Sequence, residues 1–206
     1  MLANVELQKI ELGATSMDVL RLIAWLNMDI KSFEFSRYKP LVNVSEMKTE
    51  PDLKTKMTRH YPPQAVTRLV AHQVRNSQEP NFSLDLGPGE ILNLHSRVIT
   101  ENGTTLHIPM MDLDCSISDE NLKMAGEYAR ILGREGVVLQ TGRSYHYYGF
   151  HLLTEKEWWS DCIPQSMLGK VCDIRYMAHK LKDRFITLRL TAGGIRNTEP
   201  KVVLVV

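Results

Sequence analysis

The order of periodic segments in this sequence predicts an α+β fold, a largely antiparallel sheet covered on one face by helices. Three observations lead there. Helical periodicity occurs on both sides of the chain's midpoint. Glu101-Asn102-Gly103 separates two runs as the turn of a hairpin. From Val137 onward, short strand-like runs surround one helical stretch.

Each element follows from a local pattern. Residues 16–30 place Val19, Ile23, Leu26 and Ile30 on one helical face, with Ser16 as the N-cap. Residues 40–60 are polar and lysine-rich and read as irregular. The Pro62-Pro63 pair opens a second helix that runs through Ala65 to Val74. Gly87-Pro88-Gly89 marks a turn, and residues 90–100 and 105–115 form the hairpin arms. Residues 119–133 form a helix with Leu122, Ala125, Ala129 and Leu132 inward. Strands are expected from Val137 and over Ser144–Leu152, a helix over 155–168, and strands over Val171–Met177, Arg184–Thr191 and Lys201–Val206.

Composition narrows the function classes. The 206 residues suffice for one ordinary domain or a core with a small appendage. At 43% hydrophobic and 24% charged, the chain lies in the folded range, which excludes a disordered polymer. No apolar run approaches the ~18 residues of a membrane-crossing helix, and no basic-then-apolar signal opens the chain. Cys115, Cys162 and Cys172 form no CxxC pair, against a zinc knuckle or a disulfide framework. A cytoplasmic location with no membrane partner is the expectation. The net charge of +1 hides a split: Glu79–Glu120 carries eight acidic residues against Arg97 alone, and Lys170–Lys201 eight basic against three acidic. Such a chain can hold cations at one place and phosphates at another, although solvated faces of opposite sign give the same count.

Three short segments carry candidate chemistry. In Met110-Met111-Asp112-Leu113-Asp114-Cys115, strand alternation puts Asp112 and Asp114 on one face and Met111, Leu113 and Cys115 on the other. Paired carboxylates repel unless a cation lies between them, and hard oxygen donors at this spacing suit Mg²⁺ or Mn²⁺. Two exposed aspartates at a strand end fit the same spacing. In Val171-Cys172-Asp173-Ile174-Arg175-Tyr176, a strand would put Asp173 and Arg175 together, either as a third carboxylate for the same site or as a surface ion pair. In Thr141-Gly142-Arg143-Ser144-Tyr145-His146, Ser144 and His146 share a phase after a glycine, and with Arg143 they can donate to phosphate oxygens. A Ser–His nucleophile pair is the competing idea, but side chains at i and i+2 run parallel and no orienting acid is evident. A structural histidine held among tyrosines is a third reading. The chain has no GxxxxGK[ST] loop, no GxGxxG and no HExxH helix. Tyr145, Tyr147, Tyr148, Trp158 and Trp159 suit either nucleobase stacking or the core.

In this order, Met111-Asp112-Leu113-Asp114, Ser144-Tyr145-His146 and Cys172-Asp173 resemble the hDhD, sxH and hD motifs of the archaeo-eukaryotic primase superfamily, the primase–polymerases. The stretch from Asp173 through His179-Lys180-Leu181 to Leu188-Arg189-Leu190-Thr191 is similar to its small, stand-alone bacterial members. The resemblance covers roughly residues 90–206. It implies an RRM-like sheet with an N-terminal αβ unit: residues 1–80 as a helical and irregular segment packed on the core, and 81–206 as the catalytic core. It implies that Asp112, Asp114 and Asp173 are catalytic and hold two divalent ions, Mg²⁺ or Mn²⁺. Arg143, Ser144, His146 and Arg175 would bind the nucleotide, and Lys180, Arg184 and Arg189 the nucleic acid. The implied partners are nucleoside triphosphates, a DNA or RNA template or primer, and a helicase or other replication or repair protein. The zinc module of many relatives has no counterpart here, since no cysteine or histidine set exists for one. The reading is therefore a metal-dependent nucleotidyltransferase that extends or starts a primer. The alternatives are a non-catalytic nucleic-acid-binding module on a degenerate primase fold, and a two-metal phosphodiesterase or nuclease.

Overall fold

The computed structural model describes residues 10–39, 66–76, 86–132, 135–169, 171–172 and 174–206. Its class is α+β, but the strands form two antiparallel sheets rather than one. Helix α1 (Ser16–Leu26) opens on a capping box in which Thr15, not Ser16, is the N-cap: Thr15 Oγ1 accepts from the Asp18 amide while the Asp18 carboxylate accepts from the Thr15 amide. Ser16 is instead the first helical residue, and its hydroxyl donates to Leu190 O. The helix stops at Leu26, and Ile30 begins strand β1 (Ile30–Tyr38), an element absent from the sequence reading.

The helix expected over Pro62–Val74 is corrected within the described residues to strand β2 (Val66–Val70) and a short helix α2 (Ala71–Asn76). Val-Thr-Arg-Leu-Val suits a pleated surface, and pairing with β1 from Ser32↔Val70 to Ser36↔Val66 overrides the helix signal upstream. Residues 40–65, including the expected irregular stretch, lie outside the described residues.

The hairpin expectation holds for β3 (Ile91–Thr100) and β4 (Thr105–His107), with Gly103 at φ +81° in the turn. Its second arm does not reach Cys115. Pro109, which lacks an amide hydrogen, ends the ladder, and β5 (Met110–Leu113) resumes in the other sheet. Helix α3 (Asp119–Ile131), capped by Ser118, follows as expected. The strand expected from Val137 is β6 (Gly136–Gln140), the one expected over Ser144–Leu152 is shortened to β7 (Tyr145–Gly149), and a further short strand, β8 (Leu153–Thr154), follows. The helical stretch over 155–168 holds, with α4 (Glu155–Glu157) passing through a π turn (Trp158–Cys162) into α5 (Ile163–Leu168).

The largest departure is Val171–Met177. Among its described residues only Cys172 forms a β-bridge, and helix α6 (Ile174–Asp183) begins two residues later. Met177, Lys180 and Leu181 recur at helical spacing on its inner side, so the alternation argument for Arg175 does not apply. Arg184, at φ +62°, ends the helix. The strand expected from Arg184 is confined to β9 (Thr187–Arg189), and β10 (Lys201–Val205) is the last strand.

In the larger sheet the order is β2-β1-β3-β4-β8, and β9 shares the β4 edge of β3. Ten residues long, β3 pairs with β9 near its start and with β4 near its end. Phe33 and Phe35 of β1 join Val19, Leu20 and Ile23 of α1 and Val74 of α2 in the core. The smaller sheet runs β10-β6-β7-β5. With a strand on either side, every residue of β7 is buried.

Candidate active site

Alternation along β7 sorts its side chains to two faces. The Tyr145 hydroxyl accepts from the Ser118 amide and donates to the Ser118 carbonyl, both at 3.1 Å, which assigns Tyr145 and Tyr147 to the α3 side. His146 and Tyr148 therefore take the opposite face. Across the ladder Asp112 of β5 pairs with His146, and its Oδ1 lies 3.6 Å from His146 Nε2. The expected alternation in β5 holds: Met111 and Leu113 are buried, while the Asp112 side chain keeps 40% of its exposure. Asp114, exposed, follows directly, and its amide donates to Val171 O at 2.7 Å.

That bond is one half of a clasp. Leu113, between the two aspartates, forms an antiparallel bridge to Cys172, the residue before Asp173. Asp173 itself, and the side chain of Arg175 in the first turn of α6, lie outside the described residues. Burial pushes the Cys172 thiol far up, helped by the charge of Asp112, and raises Cys115 in the same way, with Asp114 next. Both are protonated thiols at pH 7.

The turn from β6 to β7 carries Arg143 and Ser144. Ser144 O accepts from the Thr141 amide (2.9 Å) and hydroxyl (3.1 Å), closing a tight loop with Gly142 at φ +98°. Arg143 is exposed, and Ser144 Oγ lies 3.2 Å from Thr141 Oγ1. The loop is pinned from the larger sheet: Arg189 of β9 donates to Thr141 O at 2.7 Å, to Thr191 O at 3.2 Å and to Thr198 O. Arg189 thus braces the site through three backbone carbonyls.

The remaining cations divide. Lys180 is buried on α6, donating to Thr187 Oγ1 at 2.9 Å and lying 3.5 Å from Asp183 Oδ2. Arg184 is exposed at the end of that helix. Tyr176 of α6 donates to Thr187 O at 2.6 Å, and burial followed by the Asp112 charge pushes its own ionisation up.

Electrostatics decide the state of His146. Burial holds its pKa at about 3, and the positive charges of Arg189 and Arg196 act in the same direction, so the ring is neutral at pH 7. Among the described residues its Nδ1 has no hydrogen-bond partner, nor has the buried hydroxyl of Tyr148, whose ring lies edge-on at 6.5 Å. His146 and Tyr148 thus share the face of the sheet that carries Asp112. Sequence reasoning missed Tyr148 in this role, although its spacing of two from His146 was the available signal.

The structure sets Asp112 beside His146, with the exposed Asp114 two residues further along the chain, and places the turn of Arg143 and Ser144 at the start of the His146 strand. Asp112 and Asp114 offer hard oxygen ligands that fit a divalent cation taking its other ligands from water or phosphate. Among the described residues no group of three or more metal-binding side chains is assembled. No helix among them is long and apolar enough to cross a membrane.

No curated protein and no solved structure matches this chain. A family model does: the one described as AEP-like, archaeo-eukaryotic primase 1D-like, matches residues 67–202. That span takes in the aspartate strand, the Ser144–His146 turn and strand, the Leu113–Cys172 bridge and the bracing Arg189. Covering well over half of the 206 residues, the match identifies the chain as a member of the archaeo-eukaryotic primase 1D-like family.

Proposed function

We propose that this primase–polymerase-type domain is a metal-dependent nucleotidyltransferase that joins a nucleoside triphosphate to a primer or starts one on a nucleic-acid template. The observation that carries the reading is the clasp at Leu113. Asp112 of β5 and Asp114 just beyond its end flank Leu113, which is bridged to Cys172, the residue before Asp173. This supports a three-carboxylate edge beside a neutral histidine and a tight polar turn.

In this reading a 3′ hydroxyl attacks the α-phosphate and pyrophosphate leaves. Asp112, Asp114 and Asp173 would hold two divalent ions, Mg²⁺ or Mn²⁺, which when bound screen the phosphate charge and favour the hydroxyl's ionisation. His146, kept neutral, serves as a hydrogen-bond donor to a phosphate oxygen and not as a cation. The β6–β7 turn, held by Arg189, presents the Ser144 hydroxyl and the Arg143 guanidinium for the rest of the triphosphate. Its rigidity limits the entropy lost when the triphosphate is ordered.

The test is incubation with a primed template, Mn²⁺ and labelled nucleotides. Extension is the expected outcome. Shortening of the primer overturns the reading in favour of a nuclease, and binding without either change overturns it in favour of a non-catalytic module.

A further inference from the structure

We infer that Arg68 and Arg97, held side by side on the larger sheet by the buried carboxylate of Glu34, form a docking surface for the phosphodiester backbone of a nucleic-acid strand. The proposal rests on the nucleotidyltransferase reading for its choice of partner. Its geometry is independent of the Asp112 edge.

Glu34, Arg68 and Arg97 stand on three adjacent strands, β1, β2 and β3. Arg68 donates to Glu34 Oε1 from Nε (3.0 Å) and Nη2 (2.8 Å), and Arg97 donates to Oε2 from Nε (3.1 Å) and Nη2 (2.8 Å). The Glu34 side chain is 3% exposed, whereas those of Arg68 and Arg97 are 65% and 33% exposed. One buried carboxylate needs one partner to be neutralised. Here it has two, and burial keeps the adjoining His95 neutral, so two guanidiniums against one carboxylate leave a net positive charge. Each guanidinium has five N–H donors and spends two on Glu34.

Orientation is fixed as well as charge. The Arg97 guanidinium lies 4.5 Å above the Phe185 ring, and His95 stacks on the same ring at 4.3 Å. Two forked donors clamped through Nε and Nη2 have surrendered their rotamer freedom in the free protein, which lowers the cost of binding a phosphate. Strand β9 ties this part of the sheet to α6. His95 pairs with Thr187, whose side chain receives Lys180 and whose carbonyl receives Tyr176. By contrast, Lys180 and Arg189 direct their donors inward, to Thr187 and to three backbone carbonyls.

The experiment measures binding of a fluorescein-labelled single-stranded DNA oligonucleotide of mixed sequence to the full chain in EDTA, over a series of salt concentrations. Arg68→Ala and Arg97→Ala should each weaken binding about 5- to 10-fold, whatever the sequence. Each should lower the slope of log affinity against log salt by about 0.7, one phosphate contact. Arg68→Lys, which keeps the charge, should retain the wild-type slope. Because Arg68 is largely exposed, its variants keep the test decisive even where Arg97→Ala fails to fold. Unchanged affinity and slope in a folded Arg68→Ala protein overturn the surface, as does a wild type with no affinity for the oligonucleotide. A wild type that extends primers while Arg68→Ala binds normally sinks this surface alone. A wild type that binds through Arg68 yet never incorporates nucleotide sinks only the catalytic reading.

Discussion

Asp112 and His146 face each other across adjacent antiparallel strands, the carboxylate Oδ1 and the imidazole Nε2 3.6 Å apart, the first half-exposed and the second buried. At that distance the pair is too long for a hydrogen bond, and the neutral ring gives no ion pair. The contact is therefore weak in itself.

Asp112→Asn and Asp114→Asn should each abolish nucleotide incorporation and leave the fold intact. Neither carboxylate is deeply buried, so each change should alter stability by no more than about 0.5 kcal/mol. Primer extension beside thermal melts checks this. A large drop in Tm for either variant would make the aspartate structural.

His146→Ala should weaken binding of a non-hydrolysable nucleoside triphosphate about 2- to 10-fold, the worth of one neutral hydrogen bond. His146→Gln, which keeps a donor, should recover part of the loss. Titration calorimetry with Mg²⁺ present provides the measurement, and identical affinities in all three proteins would remove His146 from the nucleotide site.

Arg189→Ala should destabilise the chain by about 2–3 kcal/mol, because Thr141, Thr191 and Thr198 lose a charged donor together. Arg189→Lys should rescue little, since an ammonium cannot span the three carbonyls as a guanidinium does. Chemical denaturation reads both values. A stable Arg189→Ala protein with weakened oligonucleotide binding would return this arginine to the nucleic acid.

Acid should destabilise the protein in two windows. His107, held at about 4 by burial and then Arg97, and His146, held at about 3, are neutral when folded but protonate near 6.5 when unfolded. The unfolded chain then binds more protons, so stability falls as pH drops below 6.5, by up to about 1.4 kcal/mol per pH unit for each ring. Glu34 acts lower down. Its His95 neighbour, then Arg68 and Arg97, hold its carboxyl at about 2 against burial, so its contribution is whole above 4.5 and is lost toward 2. Thermal melts from pH 7 to pH 3 test both windows, and a flat Tm between pH 7 and pH 5 contradicts the first.

Much of the site was readable because strand alternation is a local rule. Asp112 between buried Met111 and Leu113, and His146 inside a run of tyrosines, keep the phases their spacing implies. What was not readable depends on distant partners. Val66–Val70 is a strand because β1 lies beside it, and β1 is itself a strand because β3 accepts it. Cys172 followed by α6 defeats a period-two reading, since the strand character lasts one bridge before helical spacing takes over at Met177, Lys180 and Leu181. Arg68, Glu34 and Arg97 meet only after three strands have paired, so nothing in their separate sequence contexts reveals the cluster.

Pro109 has a mechanical corollary. The chain leaves the larger sheet at His107 and enters the smaller one at Met110, so the aspartate strand hangs from its neighbour by a two-residue joint that includes a rigid pyrrolidine ring. Arg189 adds a cross-tie from the larger sheet to the loop beside the smaller one. A coupling this short does not permit the wide jaw-like opening of proteins hinged on long linkers. In the nucleotidyltransferase reading, nucleotide would therefore enter and pyrophosphate leave past the turns and side chains at the rim, with the two sheets held together.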